Sequence, residues 1–538
     1  MHKKILTLAI GLAVFAGSAF AQFRPSEEGI KLERTLQLIK NLYVDDVNTN
    51  KLTEAAVRAM LKELDPHSSY LDKEEVRAMN EPLEGNFDGI GISFNMLTDT
   101  LYVMEVISGG PSQKVGIMPG DKFIFVDDTL IAGVKMNNQG VIKKLRGPKG
   151  TVVNIKALRR GVPELMEFRI VRDKIPIYSI DASYMVSGDI GYIRLSRFGA
   201  TSGEEFKKAE QELKSKGMKN LILDLTGNGG GILQIANDIT DEFLEDGKLI
   251  VYTEGKNQPR YTMNATRKGQ FENGNLVVLV DEGSASASEI LAGAVQDWDR
   301  GVVVGRRTFG KGLVQRQIPL PDGTMIRLTV AKYYTPTGRS IQKPYEEGNI
   351  EAYNQDFLNR YTHGEMFDAD SIQLPDSLKF TTLLNQRTVY GGGGIMPDYF
   401  VPIDTTAGTS LHAQLNAKGV INRLSISEVD NNRNALLKRY PDIDAFKSNY
   451  QIPESFTQSI KSLAETEKIE WKEDQFAKSK ALIFQQLKAL IARDLYDSSA
   501  FFKIINDESD IFREGLNIIS DPARYNGLLK GIGSNVSK

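Results

Sequence analysis

LVVLVDEGSASASEILAGAVQDWDRGVVV, residues 276–304, is the stretch that decides the fold. It begins with the continuous apolar run Leu276–Val280, which is typical of a strand buried on both faces. A helical pattern follows over 288–298, and the valines at 302–304 begin another strand. Strands that alternate with helices predict an α/β core.

The alternation continues upstream, so the core is predicted to span 175–403. Segments 191–195 and 220–225 have strand character, and 202–216 has helical character. Outside the core, 22–85 is predicted to be helical, 86–174 to be a small β-rich domain, and 404–538 to be a helical extension. The chain is therefore expected to be a multidomain α+β protein.

Composition excludes several classes of chemistry. The 538 residues are 41% hydrophobic and carry a net charge of −3, with no long block of like charge that would indicate a nucleic-acid partner. The absence of cysteine excludes disulfides, thiolate metal sites and a cysteine nucleophile.

The first 21 residues have the pattern of a signal peptide. Lys3 and Lys4 give a basic start, residues 5–16 are apolar, and Ala19-Phe20-Ala21 forms an A-x-A cleavage site. This predicts an exported, periplasmic protein that is soluble after cleavage. An uncleaved anchor that keeps the protein at the membrane is the alternative.

Ser286 lies in a run of small residues, 283–288, between the buried strand and the helix. The start of a helix favours negative charge, which suits a nucleophile whose attack creates an oxyanion. The same pattern has a purely structural interpretation, because Ser286 and Glu289 also form the sequence of a helix capping box.

A serine nucleophile needs a base, and the chain offers two kinds. None of the four histidines lies in a segment that favours a triad, although a triad can draw on residues far apart. Lys311 lies between two glycines after a buried strand, with no acidic residue from 302 to 321. Burial there would lower its pKa enough to make it a base, whereas an ordinary solvated lysine is the alternative.

A third motif is the glycine-rich sequence 227–231 at the end of a strand. It fails as a dinucleotide loop because Ile232 occupies the last glycine position of G-x-G-x-x-G. A tight turn and a backbone that offers amide donors to an oxyanion both remain open.

Taken in order, these motifs resemble the C-terminal processing peptidases, also called tail-specific proteases. The similarity rests on DLTGNGGG at 224–231, SASASEI at 284–290 and TFGKG at 308–312 followed by Gln315. LDPHS at 64–68, YTP at 334–336 and GGIMPD at 393–398 extend it over about 30–403. Thr226 departs from the family, which often has arginine at this position.

The resemblance implies catalytic roles for individual residues. Ser286 matches the nucleophile, and Lys311, 25 residues further on, matches the general base. Gln315 matches the residue that positions the lysine. The amide of Ala287 and that of Gly229 or Gly230 match the oxyanion hole.

The β-rich domain at 86–174 resembles a PDZ domain. Its carboxylate-binding loop would be Gly89, Ile90, Gly91 and Ile92. Consecutive loop amides can bind a terminal carboxylate while the peptide adds to the edge of the sheet.

The expected function is therefore a serine endopeptidase that cleaves near the C-termini of proteins through an acyl-enzyme. Its PDZ domain would bind substrate tails or gate the active site, and neither a metal nor an organic cofactor is required. Protein or peptide substrates with free C-termini are the expected partners, with an adaptor and self-association as further candidates. The alternative is an inactive PDZ adaptor that captures C-termini for another enzyme.

Overall fold

A computed structural model describes residues 26–97, 99–266 and 269–536. The predicted signal peptide at 1–21 lies outside these ranges. None of the described helices is both long and apolar enough to cross a membrane.

The N-terminal region is mainly helical but also supplies a strand to the core. Its elements are α1 (Glu27–Leu42), α2 (Thr49–Lys62), β1 (Ser69–Leu71) and α3 (Lys73–Glu84). Strand β1 pairs with a strand of the core, so this region contributes to a core sheet. No residue of α1 is buried, although its leucines follow a helical period.

The β-rich domain is a separate sheet with its own apolar core. Its elements are β3 (Ile92–Leu97), β4 (Thr100–Val106), α4 (Pro111–Lys114), β5 (Lys122–Val126), β6 (Thr129–Leu130), α5 (Asn138–Leu145), β7 (Val152–Leu158) and β8 (Met166–Val171). The chain enters through β2 (Asn86–Gly89) and leaves through β9 (Asp173–Pro176), and these two strands pair with each other.

The central sheet of the core has six strands, in the order β10-β11-β12-β15-β16-β21. All neighbours are parallel except β10 and β11, as expected from the alternation of strands and helices. Its elements are β10 (Ile180–Ser187), β11 (Ile190–Leu195), α6 (Ser202–Ser215), β12 (Asn220–Asp224), α7 (Leu233–Thr240), β15 (Leu276–Val280), α8 (Ala287–Asp297), β16 (Val302–Gly305) and β21 (Tyr399–Phe400).

A second, antiparallel sheet stands beside it in the order β1-β18-β13-β14. Strands β1 and β13 pair with the two ends of one edge of β18, and β17 pairs along the other edge. Its core strands are β13 (Leu249–Gly255), β14 (Gln258–Asn264), β17 (Leu313–Pro319) and β18 (Met325–Tyr334). Helix α9 (Ile350–Thr362) and the β19 (Lys379–Thr381) and β20 (Thr388–Tyr390) hairpin follow, with short 3₁₀ turns at Ala369–Ser371 and Asp376–Leu378.

The C-terminal extension is helical, as predicted, and it divides into two parts. Helices α10 (Ser410–Ala417), α11 (Val420–Arg439), α12 (Ile443–Asn449), α13 (Ser455–Thr466), α14 (Glu473–Leu495) and α15 (Ser498–Ile505) share one apolar core. A 3₁₀ turn at Asn506–Glu508 leads to α16 (Asp510–Ser520) and α17 (Pro522–Leu528). These last two helices cover the face of the central sheet opposite α8, so the sheet is buried on both sides.

Candidate active site

Ser286 lies at the junction between β15 and α8, immediately before the first residue of the helix. Its backbone has φ 57° and ψ −110°, a conformation that residues with a Cβ rarely adopt. Such a conformation costs about 1–3 kcal/mol and persists only where surrounding contacts enforce it.

Two buried side chains enforce this conformation from opposite sides. The Ser286 amide donates to Oε2 of Glu289 at 2.8 Å, and the Tyr333 hydroxyl donates to the Ser286 carbonyl oxygen at 3.0 Å. Glu289 is therefore part of the capping arrangement that its spacing from Ser286 predicted. Both main-chain polar groups of Ser286 are fixed by side chains from the protein interior.

Lys311 follows β16 and is tied to the same two side chains. Its amide donates to Oε2 of Glu289 at 2.9 Å, and its carbonyl oxygen accepts from Tyr333. The amide of Gly310 and the hydroxyl of Thr308 donate to the other carboxylate oxygen of Glu289. Glu289 thus accepts four hydrogen bonds and joins the helix start to the lysine loop.

The pKa values of Lys311 and Glu289 are both shifted by burial. Burial, reinforced by the nearby positive charge of Arg327, lowers the pKa of Lys311 to about 8. The carboxylates of Glu289 and Asp65 oppose this shift. Burial raises the pKa of Glu289, and its four donors limit that rise because they stabilise the ionised form. Lys311 can thus lose its proton near neutral pH.

A cavity of about 520 Å³ brings together the residues that the sequence singled out. Its wall contains Ser286, Lys311, Gln315, Gly229 and Gly230. The remaining wall comes from α3, from the start of α7, from α8, and from β17 and β18: Met79, Pro82, Leu83, Gly231, Ile232, Leu233, Ile290, Leu313, Val314, Gln317, Arg327 and Tyr333.

The glycine-rich loop lies directly against the segment that carries Ser286. A Cβ on Gly230 would stand 2.6 Å from the Ala285 oxygen and 2.9 Å from the Ala287 nitrogen, so this contact requires glycine. The Gly230 amide is already bonded to Oδ1 of Asn228 at 2.9 Å. In the described ranges the Gly229 amide has no hydrogen-bond partner, and a Cβ on Gly229 would meet nothing within 4 Å. The loop therefore offers the Gly229 amide rather than that of Gly230.

Gln315 lies on β17, on the same cavity wall as Lys311. Its amide nitrogen donates to the Leu313 oxygen at 3.2 Å and to Oγ1 of Thr329 at 3.5 Å. The structure therefore places Gln315 in the same cavity lining as Lys311, with its amide bonded within the β17–β18 pair rather than to the lysine.

The Asp65-Pro66-His67-Ser68 turn packs against the same strand pair. Asp65 accepts from the amides of His67 and Ser68 at 2.8 and 2.9 Å and from Oγ1 of Thr329 at 3.0 Å. Because Thr329 also accepts from Gln315, the turn supports the cavity wall that carries Gln315.

At position 226, the threonine is bonded to an arginine from the neighbouring strand. Nη1 of Arg194 donates to Oγ1 of Thr226 at 2.8 Å, and Nη2 donates to its carbonyl oxygen at 2.9 Å. Arg194 therefore makes the loop contacts at the position where the sequence departs from the family pattern.

The predicted carboxylate loop lies away from this cavity, in a groove of the β-rich domain. Gly89, Ile90, Gly91 and Ile92 line a cavity of about 160 Å³ together with side chains of β2, β3, α5 and the residue that follows α5: Phe87, Phe94, Ile142, Leu145 and Arg146. The carbonyls of Ile90 and Gly91 accept from the Ser112 and Ile107 amides, both at 3.0 Å, which fixes the loop.

Sequence reasoning missed four residues of the site. Asn228 was noted only as part of the glycine-rich motif, and its side-chain bond to the Gly230 amide was not predicted. Tyr333 and Arg327 carried no local signal, because their partners lie in segments distant in sequence. Glu289 was recognised only as a helix cap. Its bonds to 308–311 connect segments about 20 residues apart, which no spacing rule within a helix could indicate.

The fold and this site define a serine-type peptidase that carries a PDZ domain. Residues 189–352 match peptidase family S41, and 89–170 match the PDZ domain. Residues 16–75 match the N-terminal domain of the activating protease CtpB, and 411–497 match a family of unknown function.

Two curated relatives narrow the assignment within peptidase family S41. The carboxy-terminal processing protease CtpB of Bacillus subtilis is 36% identical over 354 residues, which are 65% of this chain and 71% of that protein. The carboxy-terminal-processing protease of Bartonella bacilliformis is 38% identical over 309 residues, 56% and 70% of the two chains. The solved photosystem II D1 C-terminal processing protease is 28% identical, with 59% of this chain and 91% of that one covered and a TM-score of 0.34. The chain belongs to the carboxy-terminal processing proteases of peptidase family S41.

Proposed function

We propose that Ser286 and Lys311 are the nucleophile and the general base of this peptidase. The observation that carries the proposal is the shared cavity, which is lined both by a partly buried lysine with a pKa of about 8 and by the strained serine. Neutral Lys311 takes the hydroxyl proton as Oγ of Ser286 attacks the peptide carbonyl. The protonated lysine then gives that proton to the leaving amine, and an acyl-enzyme remains.

Deacylation uses the same groups in reverse. Water attacks the ester, Lys311 accepts a proton from it, and the proton returns to Oγ of Ser286 as the ester bond breaks. The amides of Ala287 and Gly229 stabilise the oxyanion in both steps. Gly229 is preferred over Gly230 because the amide of Gly230 is engaged with Asn228.

The substrate is proposed to bind as an extended strand along β17. Among the described strands β17 pairs only with β18, so one of its edges is open. Leu313, Val314, Gln315 and Gln317 of this strand line the cavity, and main-chain pairing with a peptide would lead it past Ser286.

The test is cleavage of peptide substrates by the purified mature protein. Ser286→Ala and Lys311→Ala are each expected to lower kcat by more than about a thousandfold while peptide affinity is retained. Lys332→Ala, which removes an exposed lysine from β18, is the matched control and should cleave normally. Equal turnover by Lys311→Ala and the wild type would disprove the dyad.

The PDZ domain is proposed to bind free C-terminal tails and to communicate with the catalytic cavity. Arg146 lines the PDZ groove and forms an ion pair with Glu81 of α3. Met79, Pro82 and Leu83 of the same helix line the catalytic cavity. A tail that displaces Arg146 would therefore act on a helix that forms the cavity wall.

This coupling can be measured with a tail peptide that is not itself cleaved. The peptide should change turnover of a separate fluorogenic substrate in the wild type and should lose this effect in Glu81→Gln. Lys143→Gln is the control, because the Lys143–Glu74 pair joins the same two helices at an exposed position. An unchanged response in Glu81→Gln would contradict coupling through this ion pair.

Export to the periplasm is proposed from the basic start, the apolar run at 5–16 and the Ala19-Phe20-Ala21 site. N-terminal sequencing of the protein recovered from the periplasm should begin at Gln22. Retention of residues 1–21 would support an uncleaved anchor instead.

A further inference from the structure

Arg327 occupies a position in the catalytic cavity that the reaction cycle described above does not use. It lies on β18, where it is opposite Gln317 of β17 on one side and Ser69 of β1 on the other. The residue is partly buried and lines the same cavity as Ser286 and Lys311. A substrate in the cavity would therefore lie within reach of its guanidinium group.

The guanidinium group has weak partners. Its Nε donates to the His67 carbonyl oxygen at 3.3 Å, and Nη1 contacts Sδ of Met79 at 3.8 Å, a poor acceptor. Throughout 26–97, 99–266 and 269–536 it forms no ion pair. Arginine has five N–H donors, so most of its capacity remains unused.

The carboxylates around the cavity are already engaged. Asp65, whose charge acts on Arg327, accepts from the amides of His67 and Ser68, the Ser68 hydroxyl and Oγ1 of Thr329. Glu289 accepts its four bonds from the nucleophile and lysine segments. Both carboxylates are held in place by these bonds, and among the described residues neither forms an ion pair with Arg327.

A partly buried cation without a counter-ion is unfavourable. In agreement, burial lowers the pKa of Arg327 from its ordinary value. Lys311 adds a second positive charge to the same cavity when it is protonated. The cavity therefore lacks an anion, and a planar guanidinium fork is matched to a carboxylate by two parallel hydrogen bonds.

We infer that Arg327 binds a carboxylate of the substrate within the catalytic cavity and so selects peptide bonds that lie near such a group. Two groups of a peptide substrate carry such a carboxylate: the free C-terminus and the side chain of Asp or Glu. This inference rests on the proposed function. It gives the enzyme a carboxylate site beside the scissile bond, separate from the PDZ groove.

The test compares matched fluorogenic peptides. One pair shares a sequence and ends either in a free carboxylate or in a carboxamide. A second pair is amidated and carries Asp or Asn after the scissile bond. For each pair, the ratio of kcat/KM between the charged and the neutral peptide is the readout, because effects of a variant on the general base cancel in it.

Four variants are compared with the wild type. Arg327→Gln removes the charge, and Arg327→Lys retains a charge without the planar fork. Arg316→Gln is the matched control, because Arg316 is exposed on the neighbouring strand. Ile142→Asp places a negative charge at the PDZ groove, so a carboxylate preference that arises there is lost in this variant alone.

The wild type should prefer the charged member of at least one pair. Arg327→Gln should lower kcat/KM for that member by about 10- to 100-fold, mainly through KM, and bring the ratio close to unity. Arg327→Lys should recover part of the loss, and Arg316→Gln should match the wild type. The pair that responds identifies the source of the carboxylate.

The inference is overturned if Arg327→Gln keeps the wild-type ratio in both pairs, or if only Ile142→Asp removes the preference. Cleavage of the neutral peptides by the wild type, absent in Ser286→Ala, tests the proposed function separately. Calorimetric affinities of the same peptides in the Ser286→Ala background, with and without Arg327→Gln, decide the inference even if no peptide is cleaved.

Discussion

The main-chain amides of Ser286 and Lys311 donate to the same atom, Oε2 of Glu289, at 2.8 and 2.9 Å. The two residues follow adjacent parallel strands, β15 and β16, but belong to different loops. A single buried carboxylate therefore sets the distance between the backbones of the two residues proposed as nucleophile and base.

Glu289→Gln is expected to damage both stability and turnover. A carboxamide presents an NH2 group to two of the four donors, which leaves buried groups unsatisfied. We expect the free energy of unfolding to fall by about 2–3 kcal/mol and kcat to fall much more than KM rises. Thermal unfolding and peptide kinetics measure both effects. Glu254→Gln, at an exposed position on β13, is the control, and a wild-type kcat in Glu289→Gln would show that the carboxylate is dispensable.

Tyr333→Phe tests the opposite side of the same arrangement. The variant keeps the buried ring but removes the hydroxyl that holds the carbonyls of Ser286 and Lys311. The free energy of unfolding should fall by about 1 kcal/mol, whereas kcat should fall severalfold. Tyr334→Phe is the matched control, since Tyr334 stacks on Tyr252 outside the cavity lining. Equal kcat values for the two variants would argue against a positioning role for Tyr333.

The pH dependence of kcat/KM should report the titration of Lys311. Only the neutral amine can accept a proton, so activity should rise with pH through a midpoint near 8 and then level off. Arg327 contributes to lowering this pKa, so Arg327→Gln should move the midpoint upward. A profile that stays flat from neutral to alkaline pH would exclude Lys311 as the base.

Two neighbouring glycines provide a matched pair of positions for testing the proposed oxyanion loop. Gly230→Ala places a Cβ 2.8 Å from that of Ser286 at a φ of +96°, so kcat should collapse. Gly229→Ala meets nothing within 4 Å and keeps its amide, so it should remain active. Steady-state kinetics and circular dichroism of both variants separate loss of chemistry from loss of fold. Similar losses in both would mean that loop flexibility, rather than close approach, requires these glycines.

The sequence predicted those parts of the molecule whose signals are local. The apolar run at Leu276–Val280 and the helix after it lie where the pattern placed them, and α8 starts one residue earlier than expected. Strand β1 was missed because a three-residue strand has no recognisable period, and it pairs with β18 more than 250 positions away.

The residues of the candidate site also divide into those with a local sequence signal and those without one. Ser286, Lys311 and the glycines stand in motifs, so their meeting in one cavity could be expected from sequence. The importance of Arg327 could not be expected from sequence. It follows from the lack of a carboxylate paired with this arginine among the described residues, and the partners of a side chain depend on the whole fold. Helix α1 shows the opposite case, because its leucines follow a clear helical period but none of its residues is buried.

The backbone of Ser286 implies a conflict between stability and catalysis. At φ 57° and ψ −110° the residue with the lowest conformational energy is glycine, which cannot act as a nucleophile. Ser286→Gly should therefore be inactive yet more resistant to unfolding than the equally inactive Ser286→Ala, which retains the strained Cβ. Folding alone would favour glycine at this position, so the serine is explained by the reaction rather than by stability.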